Sequence, residues 1–189
     1  MQFPVDATGW VRRARQVVSP NCDARPPRTP ITLLVIHSIS LPPGHFGGDH
    51  VLRLFTNTLD PTAYPGYAEL AQQQVSAHFL IRRDGELIQF VSCLQRAWHA
   101  GVSRWRGRPH CNAFSIGIEL EGGDDAPFEE AQYDVLIALA NSLCVTYPIR
   151  AVTGHSHIAP GRKTDPGPHF DWARLRDHMP DCPNGMGSG

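Results

Sequence analysis

The chain has 189 residues, of which 41% are hydrophobic, and this length and composition fit a single domain with its own core. Its 17 basic and 18 acidic residues give a formal net charge of -1 with no basic block or stripe, which argues against nucleic acid or an anionic membrane surface as a main partner. No apolar stretch approaches the ~20 residues that a membrane helix needs.

The N-terminus and the cysteines indicate the cellular location of the protein. Residues 1–10 lack a basic segment followed by an apolar run, so no secretory signal is indicated. The five cysteines are scattered and form no CxxC pair, which favours reduced, mostly buried thiols over a zinc ribbon or a redox motif. Both observations predict a cytoplasmic protein, although the mature form of an exported protein would look similar.

The first half of the chain is predicted to contain two helices, a buried strand and a hairpin. Residues 9–18 show the spacing of a short amphipathic helix, and residues 31–36 form an apolar, β-branched run typical of a strand buried on both faces. Residues 49–58 are predicted to form a second helix. Asp84-Gly85 lies between two apolar runs, which predicts a hairpin over residues 75–92.

The second half interleaves strands and helices. Either Asp124 or Asp125 is placed to cap a long helix, and a polar loop follows the last predicted strand. The predicted elements are a strand over residues 115–121, a helix over 128–147, a strand over 151–154 and a closing helix over 170–178.

Interleaved strands and helices that include a hairpin predict a mixed α/β fold. We expect a single domain with a central mixed β-sheet flanked by helices. This domain is expected to span residues 1–183, with a flexible tail over residues 184–189.

Ten histidines are many for a chain of this length, and context singles out two of them. His37 lies at the C-terminal end of the buried strand, and His155 directly follows the strand over 151–154; such positions commonly carry active-site groups. Asp165 lies ten residues further on. Two neutral imidazoles and one carboxylate suit a catalytic zinc ion, whose bound water then has a pKa lowered towards ~7. His157 remains an alternative ligand.

Lys163 is the only lysine beside 16 arginines. Asp165 precedes a proline, which favours extended backbone, and residues two apart in extended backbone project to the same side. Lys163 is therefore expected within reach of a metal held by Asp165, where its compact charge could stabilise the oxyanion of a tetrahedral intermediate. A surface ion pair is the alternative, but that role would not require Lys in a chain otherwise built with Arg.

Glu119 is the candidate general base. It lies in the middle of a predicted strand, on the face opposite the apolar residues, and Gly117 beside it is expected to leave open space. A buried carboxylate is costly without a partner. Near a metal-bound water it could take a proton during attack and return it to the leaving amine. Glu121 lies on the same face, and sequence position alone does not separate the two.

With these residues in view, the chain resembles the AmpD family of anhydro-muropeptide amidases, which are related in fold to peptidoglycan recognition proteins and phage amidases. The resemblance covers about residues 9–176. It rests on Leu33-Leu-Val-Ile-His37, Ile39-Ser-Leu-Pro-Pro-Gly44, Val75-Ser-Ala-His78, Arg96-Ala-Trp-His-Ala-Gly-Val-Ser103, Phe114-Ser-Ile-Gly-Ile-Glu-Leu-Glu-Gly122, Thr153-Gly-His155, Ile158-Ala-Pro160, Arg162-Lys-Thr-Asp-Pro-Gly167 and Phe170-Asp-Trp172.

The resemblance implies a role for each candidate residue. It implies zinc ligands at His37, His155 and Asp165, a catalytic carboxylate at Glu119 and a transition-state cation at Lys163. It also implies the substrate, a soluble anhydro-muropeptide whose lactyl–L-Ala amide is hydrolysed during peptidoglycan recycling. No obligate protein partner, nucleic acid or membrane is implied.

The resemblance also implies which residues contact the substrate. Trp98 and His99 would line the cleft, although Trp98 could equally be a core residue. Gln74 and His110 stand where the family is expected to have arginines that hold the peptide carboxylate, so the peptide preference is expected to differ.

Two further positions depart from the family pattern. Ser38 follows the first zinc histidine where the family usually has Asn. The Pro-Tyr pair of the next loop is Pro65-Gly66 here, with Tyr67 one place later, which leaves a tyrosine near the metal unassigned.

Three other functions compete with this interpretation. A sibling amidase would act on polymeric peptidoglycan in the periplasm, which the missing secretory signal argues against. A non-catalytic muropeptide sensor would typically lack a zinc ligand, and this chain has all three. A cysteine hydrolase would use Cys111 with the adjacent His110, but neighbours in extended backbone point apart.

Overall fold

The computed structural model describes residues 1–179, so the predicted tail over 184–189 and the domain boundary at residue 183 lie outside the described residues. The strands in this part of the chain are β1 (Arg15–Gln16), β2 (Cys22–Ala24), β3 (Leu33–Ile39), β4 (Phe79–Ile81), β5 (Leu87–Gln89), β6 (Gln95–Ala97), β7 (Arg104–Trp105), β8 (Arg108–Pro109), β9 (Ser115–Glu121) and β10 (Ala151–Gly154). The helices are α1 (His50–Phe55), α2 (Tyr67–Leu70), α3 (Glu130–Thr146), α4 (His155–Ile158) and α5 (Trp172–Asp177), and a 3-10 turn covers Cys111–Ala113.

Six strands form a central sheet in the order β1-β5-β4-β9-β3-β10. Strands β4, β9, β3 and β10 are parallel, whereas β5 is antiparallel to β4. The sheet is therefore mixed, as predicted, and the carboxyl ends of four parallel strands meet at one edge. Two smaller sheets, β2–β6 and β7–β8, have no counterpart among the predicted elements because their strands are only two or three residues long.

The register of the two central strands places the polar residues of the site together. β3 pairs with β9 so that His37 lies beside Glu119. The apolar face of β9, which includes Ile118, packs in one core cluster with Leu136 and Leu139 of α3. Because side chains alternate along a strand, the polar residues of β9 project from the opposite face.

The predicted helix over residues 9–18 is wrong. The segment is extended at β1 and pairs in parallel with β5. The buried side chain of Gln89 holds it, because the Val11 N–H donates to Gln89 Oε1 at 2.8 Å and Gln89 Nε2 donates to the Gly9 carbonyl at 2.9 Å. These long-range hydrogen bonds outweigh the weak helical preference of a short segment.

Helix α3 begins later than predicted. Neither Asp124 nor Asp125 caps it; Glu129 does, in a capping box with Gln132. Gln132 is fully buried, and its Nε2 donates to main-chain carbonyl oxygens at the ends of β4 and β9, at 3.1 and 3.0 Å. These tertiary hydrogen bonds position the first turn of the helix against the sheet.

The other predicted elements differ from the structure mainly in length. The hairpin is confirmed as β4 and β5, the strands over 115–121 and 151–154 are confirmed at their predicted bounds, and α1 and α5 are shorter than expected. The polar loop predicted after β10 begins instead with the short helix α4. None of the helices in residues 1–179 has the length and apolar character needed to cross a membrane.

Candidate metal centre and catalytic cavity

His37, His155 and Asp165 converge at the carboxyl edge of the parallel strands. His37 lies on β3, and His155 is the first residue of α4, directly after the neighbouring strand β10. Asp165 follows in the loop after α4, where its carbonyl accepts the Ser156 N–H at 2.9 Å. His37 Nδ1, His155 Nδ1 and Asp165 Oδ2 form a triangle with three sides of 3.0 Å.

This triangle has the size and the donor set of a metal site. Tetrahedral zinc bound to nitrogen and oxygen at 2.0–2.1 Å requires ligand atoms about 3.3 Å apart, close to the 3.0 Å separations found here. Both imidazoles are buried, and the carboxylate is partly buried. The three residues could therefore hold a metal ion.

The hydrogen bonds around His155 support a cation at this point. His155 Nε2 lies 3.2 Å from the Ala100 carbonyl oxygen, which can only accept. A neutral His155 therefore donates through Nε2 and carries a lone pair on Nδ1. This lone pair faces Asp165 Oδ2 at 3.0 Å, and two acceptors at that distance repel each other unless a cation lies between them.

Glu119 lies beside this triangle as a buried carboxyl group. Its side chain is 8% exposed, and Oε2 has no hydrogen-bond partner within residues 1–179. Burial, with a further contribution from the nearby Asp165 carboxylate, raises the pKa of Glu119 well above its ordinary value. A carboxyl group with a raised pKa next to a candidate metal site is suited to taking up and releasing a proton.

A cavity of about 250 Å³ brings the candidate catalytic residues together. Its lining includes the His37–His155–Asp165 triangle, Glu119 and Lys163. Lys163 lies in a segment without regular secondary structure, and Asp165 lies in the turn that the Gly167 N–H closes by donating to the Thr164 carbonyl at 3.1 Å. The side chains of Lys163 and Asp165 both line the cavity.

The two alternative residues lie away from this cavity. Glu121 accepts the Gly47 N–H at 2.7 Å and lies 3.6 Å from Arg82, so its carboxylate has structural partners. The segment with His157 is helical and not extended, and His157 Nδ1 accepts the Gly154 N–H at 3.3 Å on a side that faces Trp172. Neither residue lines the cavity with Glu119.

The expected substrate residues fall into two groups. Trp98 is half-buried and lines the cavity together with His99. Gln74 is exposed and does not line it, whereas Gln73 does. The run of three glutamines gives no sequence signal for which one faces the cavity.

Of the remaining positions named in the sequence analysis, only Ser38 lines this cavity. His110 lines a separate groove with Arg104 and Arg162. The Tyr67 ring is buried in an apolar cluster and does not line the cavity that contains Glu119 and Lys163, whereas Ser38 does. Cys111 is buried and outside this cavity.

Comparison with known proteins assigns the chain to a class. The model of the family described as N-acetylmuramoyl-L-alanine amidase, Amidase_2, matches residues 27–168. The chain therefore belongs to the N-acetylmuramoyl-L-alanine amidase family, whose members hydrolyse an amide bond.

Within this class the chain is similar to one group of relatives. It is 57% identical over 170 residues to the 1,6-anhydro-N-acetylmuramyl-L-alanine amidase AmpD of Citrobacter freundii, an overlap that covers 89% of this chain and 91% of the relative. A crystal structure of a selenomethionine derivative of AmpD superposes with a TM-score of 0.89 at 56% identity, covering 92% of this chain and 98% of the other. These similarities confirm the resemblance to the AmpD family.

A more distant relative was solved with its substrate. The amidase AmiD of Escherichia coli, in complex with anhydro-N-acetylmuramic acid-L-Ala-D-gamma-Glu-L-Lys, superposes with a TM-score of 0.57 at 33% identity. The overlap covers 92% of this chain and 65% of that one.

Three buried histidines predict that the metal-free chain loses stability in acid. Burial lowers the pKa of His37 to about 4, that of His78 to about 3, and that of His99 well below 6.5. Below pH 6.5 the unfolded chain therefore binds protons at these histidines that the folded chain does not bind. Their contribution to the free energy of unfolding is complete above pH 6.5 and is lost as the pH falls towards 4. The raised pKa of Glu119 acts in the opposite direction, because the folded chain binds this proton more readily than the unfolded chain.

We expect the free energy of unfolding, measured by urea titration of the metal-free chain, to fall between pH 7 and pH 5. Each net proton contributes about 1.4 kcal/mol per pH unit to the slope. His78→Gln should lower the slope by about one proton's contribution. A free energy of unfolding that is constant over this range would show that the pKa values of these histidines are not lowered in the folded chain.

Proposed function

We propose that this chain is a zinc-dependent 1,6-anhydro-N-acetylmuramoyl-L-alanine amidase of peptidoglycan recycling, working in the cytoplasm. The observation that carries the proposal is the triangle of His37, His155 and Asp165 beside the buried Glu119 carboxyl group, whose Oε2 has no hydrogen-bond partner among residues 1–179. Support for the substrate comes from the similarity to AmpD over most of both chains and from the muropeptide bound to AmiD.

The donor set matches zinc and not a harder cation. Two imidazole nitrogens and one carboxylate oxygen form a three-ligand set that leaves one position open, as in catalytic zinc sites, whereas Mg²⁺ and Ca²⁺ favour oxygen ligands. Zinc bound here would lower the pKa of a water molecule and polarise the lactyl carbonyl of the substrate.

Glu119 would carry the proton through the reaction. Its carboxylate takes a proton from the attacking water as oxygen adds to the lactyl carbonyl carbon. It then donates this proton to the nitrogen of L-Ala as the carbon–nitrogen bond breaks. The new carboxyl group passes the second proton of the water to the departing amine, so the products are the lactyl carboxylate of the sugar and a peptide with a free N-terminal ammonium group. One water is consumed and the atoms and charges balance.

Lys163 would stabilise the charge that develops on the carbonyl oxygen. Its side chain lines the same cavity as Glu119, and its backbone is held by a hydrogen bond from the Lys163 N–H to the Ala159 carbonyl at 3.1 Å. A positive charge that is already in position stabilises the oxyanion without reorganisation of the site during the reaction.

The cavity opens towards a larger groove that could hold the rest of the substrate. Ser38, Lys163 and Asp165 line both the catalytic cavity and a groove of about 400 Å³ that extends along Gly122 and Gly123. A substrate with a sugar on one side of the reacting amide and a peptide on the other needs space on both sides of the metal.

The proposed reaction is tested with purified chain and anhydro-N-acetylmuramoyl-tripeptide, followed by mass spectrometry. We expect free tripeptide from the zinc-loaded chain, none after treatment with a chelator, and recovery when zinc is added back. His155→Asn should weaken zinc binding strongly and abolish turnover, whereas the matched control His157→Asn should leave both unchanged.

Two results would contradict this proposal. Faster release of peptide from intact sacculi than from the soluble tripeptide would favour an amidase of polymeric peptidoglycan. A zinc-loaded chain that binds the muropeptide without hydrolysing it would favour a sensor.

The role of Glu119 is tested by a matched pair of substitutions on one strand face. Glu119→Gln keeps the shape of the side chain but removes the base, so kcat should fall by about 100-fold or more with zinc content unchanged. Glu121→Gln should keep activity, because a glutamine oxygen can still accept the Gly47 N–H. Near-wild-type kcat in Glu119→Gln would refute the assignment of the base.

A further inference from the structure

The second nitrogen of His37 begins a buried chain of hydrogen bonds. His37 Nε2 lies 2.9 Å from His99 Nδ1, and His99 Nε2 lies 3.0 Å from Ser115 Oγ. Ser115 Oγ in turn lies 2.7 Å from the carbonyl oxygen of Cys111. Ser115 is fully buried and His37 and His99 are nearly so, so water does not compete for these groups.

The direction of every hydrogen bond follows from the last acceptor. A carbonyl oxygen only accepts, so the Ser115 hydroxyl donates to Cys111 and its oxygen accepts from His99 Nε2. A neutral His99 then has its lone pair on Nδ1, which accepts from His37 Nε2. His37 in its neutral form therefore carries its proton on Nε2 and presents the lone pair of Nδ1 to Asp165 and His155.

The backbone around His99 is built to hold this ring. A Cβ added to Gly117 would lie 2.5 Å from His99 Cγ, so only glycine lets the imidazole lie against β9 at this point. The expectation that Gly117 leaves open space was therefore wrong, because the His99 ring fills it. Asn112 Oδ1 accepts the His99 N–H at 3.2 Å and the Ala100 N–H at 2.8 Å, which fixes the main chain as well.

We propose that His99 and Ser115 are positioning residues that hold His37 in the tautomer able to bind the metal. This inference rests on the zinc site of the proposed function and assigns His99 a role other than substrate contact. The tautomer of His155 is fixed in the same way by a main-chain group, the Ala100 carbonyl. The tautomer of His37 is fixed by side chains, so a substitution can remove this effect.

We call the hydrogen-bonded chain of His37, His99 and Ser115 the relay. In the metal-free protein, the Asp165 carboxylate opposes the tautomer of His37 that the relay favours. The Asp165 carboxylate, 3.0 Å from His37 Nδ1, favours a proton on that nitrogen. Without Ser115, His99 is free to donate through Nδ1 to His37 Nε2, and His37 would then place its proton on Nδ1, between itself and Asp165. Zinc would have to displace this proton, which weakens its binding. Loss of such an outer hydrogen bond typically costs 10–100-fold in metal affinity.

The test uses the full chain and two readouts that do not depend on turnover. Nitrogen-15 NMR of the metal-free protein, with labelled histidine, reports which ring nitrogen of His37 carries the proton, and competition with a chelator reports zinc affinity. The wild type should have His37 protonated on Nε2. Ser115→Ala and His99→Phe should move the proton towards Nδ1 in His37 and weaken zinc binding by about 10–100-fold.

Ser103→Ala is the matched control. Ser103 is also buried, but its Oγ donates to the Gly101 carbonyl and accepts the Cys111 N–H, both at 3.2 Å, and does not hydrogen-bond to His99. Its loss should leave the His37 tautomer and zinc affinity unchanged. Circular dichroism of each variant shows whether the fold is intact, and the wild-type tautomer tests the relay even where a variant fails to fold.

Two outcomes would overturn the proposal. One is a wild-type, metal-free chain in which His37 carries its proton on Nδ1. The other is wild-type zinc affinity in both Ser115→Ala and His99→Phe. Failure of the wild type to bind zinc would overturn the proposed function instead, while the tautomer, read without metal, would still report on the relay.

Discussion

Electrostatic repulsion inside one small triangle of atoms constrains the rest of the structure. Two imidazole nitrogens and a carboxylate oxygen lie 3.0 Å from one another, largely removed from water. Lone pairs at such distances repel strongly when solvent screening is weak, so a cation bound between them would stabilise the arrangement. The sheet register, the Ala100 carbonyl and the His99–Ser115 relay orient the two imidazoles towards this point, and Glu119 and Lys163 line the same cavity.

Strand pairing in the parallel part of the sheet places the residues of this site next to one another. Pairing of β3 with β9 sets His37 beside Glu119, and pairing of β3 with β10 delivers His155 directly after Gly154. One face of the sheet packs against α3 and supplies the apolar core. The other face carries polar groups, and hydrogen bonds offset part of the cost of their desolvation. Because the two faces are separate, the Glu119 carboxyl group lies outside the apolar core that packs against α3.

Much of this arrangement could be predicted from the sequence, and the remainder depends on tertiary contacts. Alternation along residues 115–121 and the apolar run before His37 indicate strands because burial repeats with a period of two. No such local signal shows that residues 9–18 pair with β5 through Gln89, or that the ring of His99 fills the space over Gly117. The same holds for Glu121, whose partner Gly47 is distant in sequence. Candidate catalytic and metal-binding residues could be selected from the sequence. The neighbour that each imidazole nitrogen faces could not be predicted, because it depends on tertiary contacts.

The most direct test of the central claim is X-ray absorption at the zinc K edge of the chain loaded with one equivalent of zinc. We expect a nearest shell of nitrogen and oxygen at about 2.0–2.1 Å with scattering from two imidazoles. In His37→Ala the imidazole scattering should fall to that of one ring. A sulfur shell at about 2.3 Å, which would mean cysteine ligation, would contradict zinc binding by His37, His155 and Asp165. So would a spectrum that His37→Ala leaves unchanged.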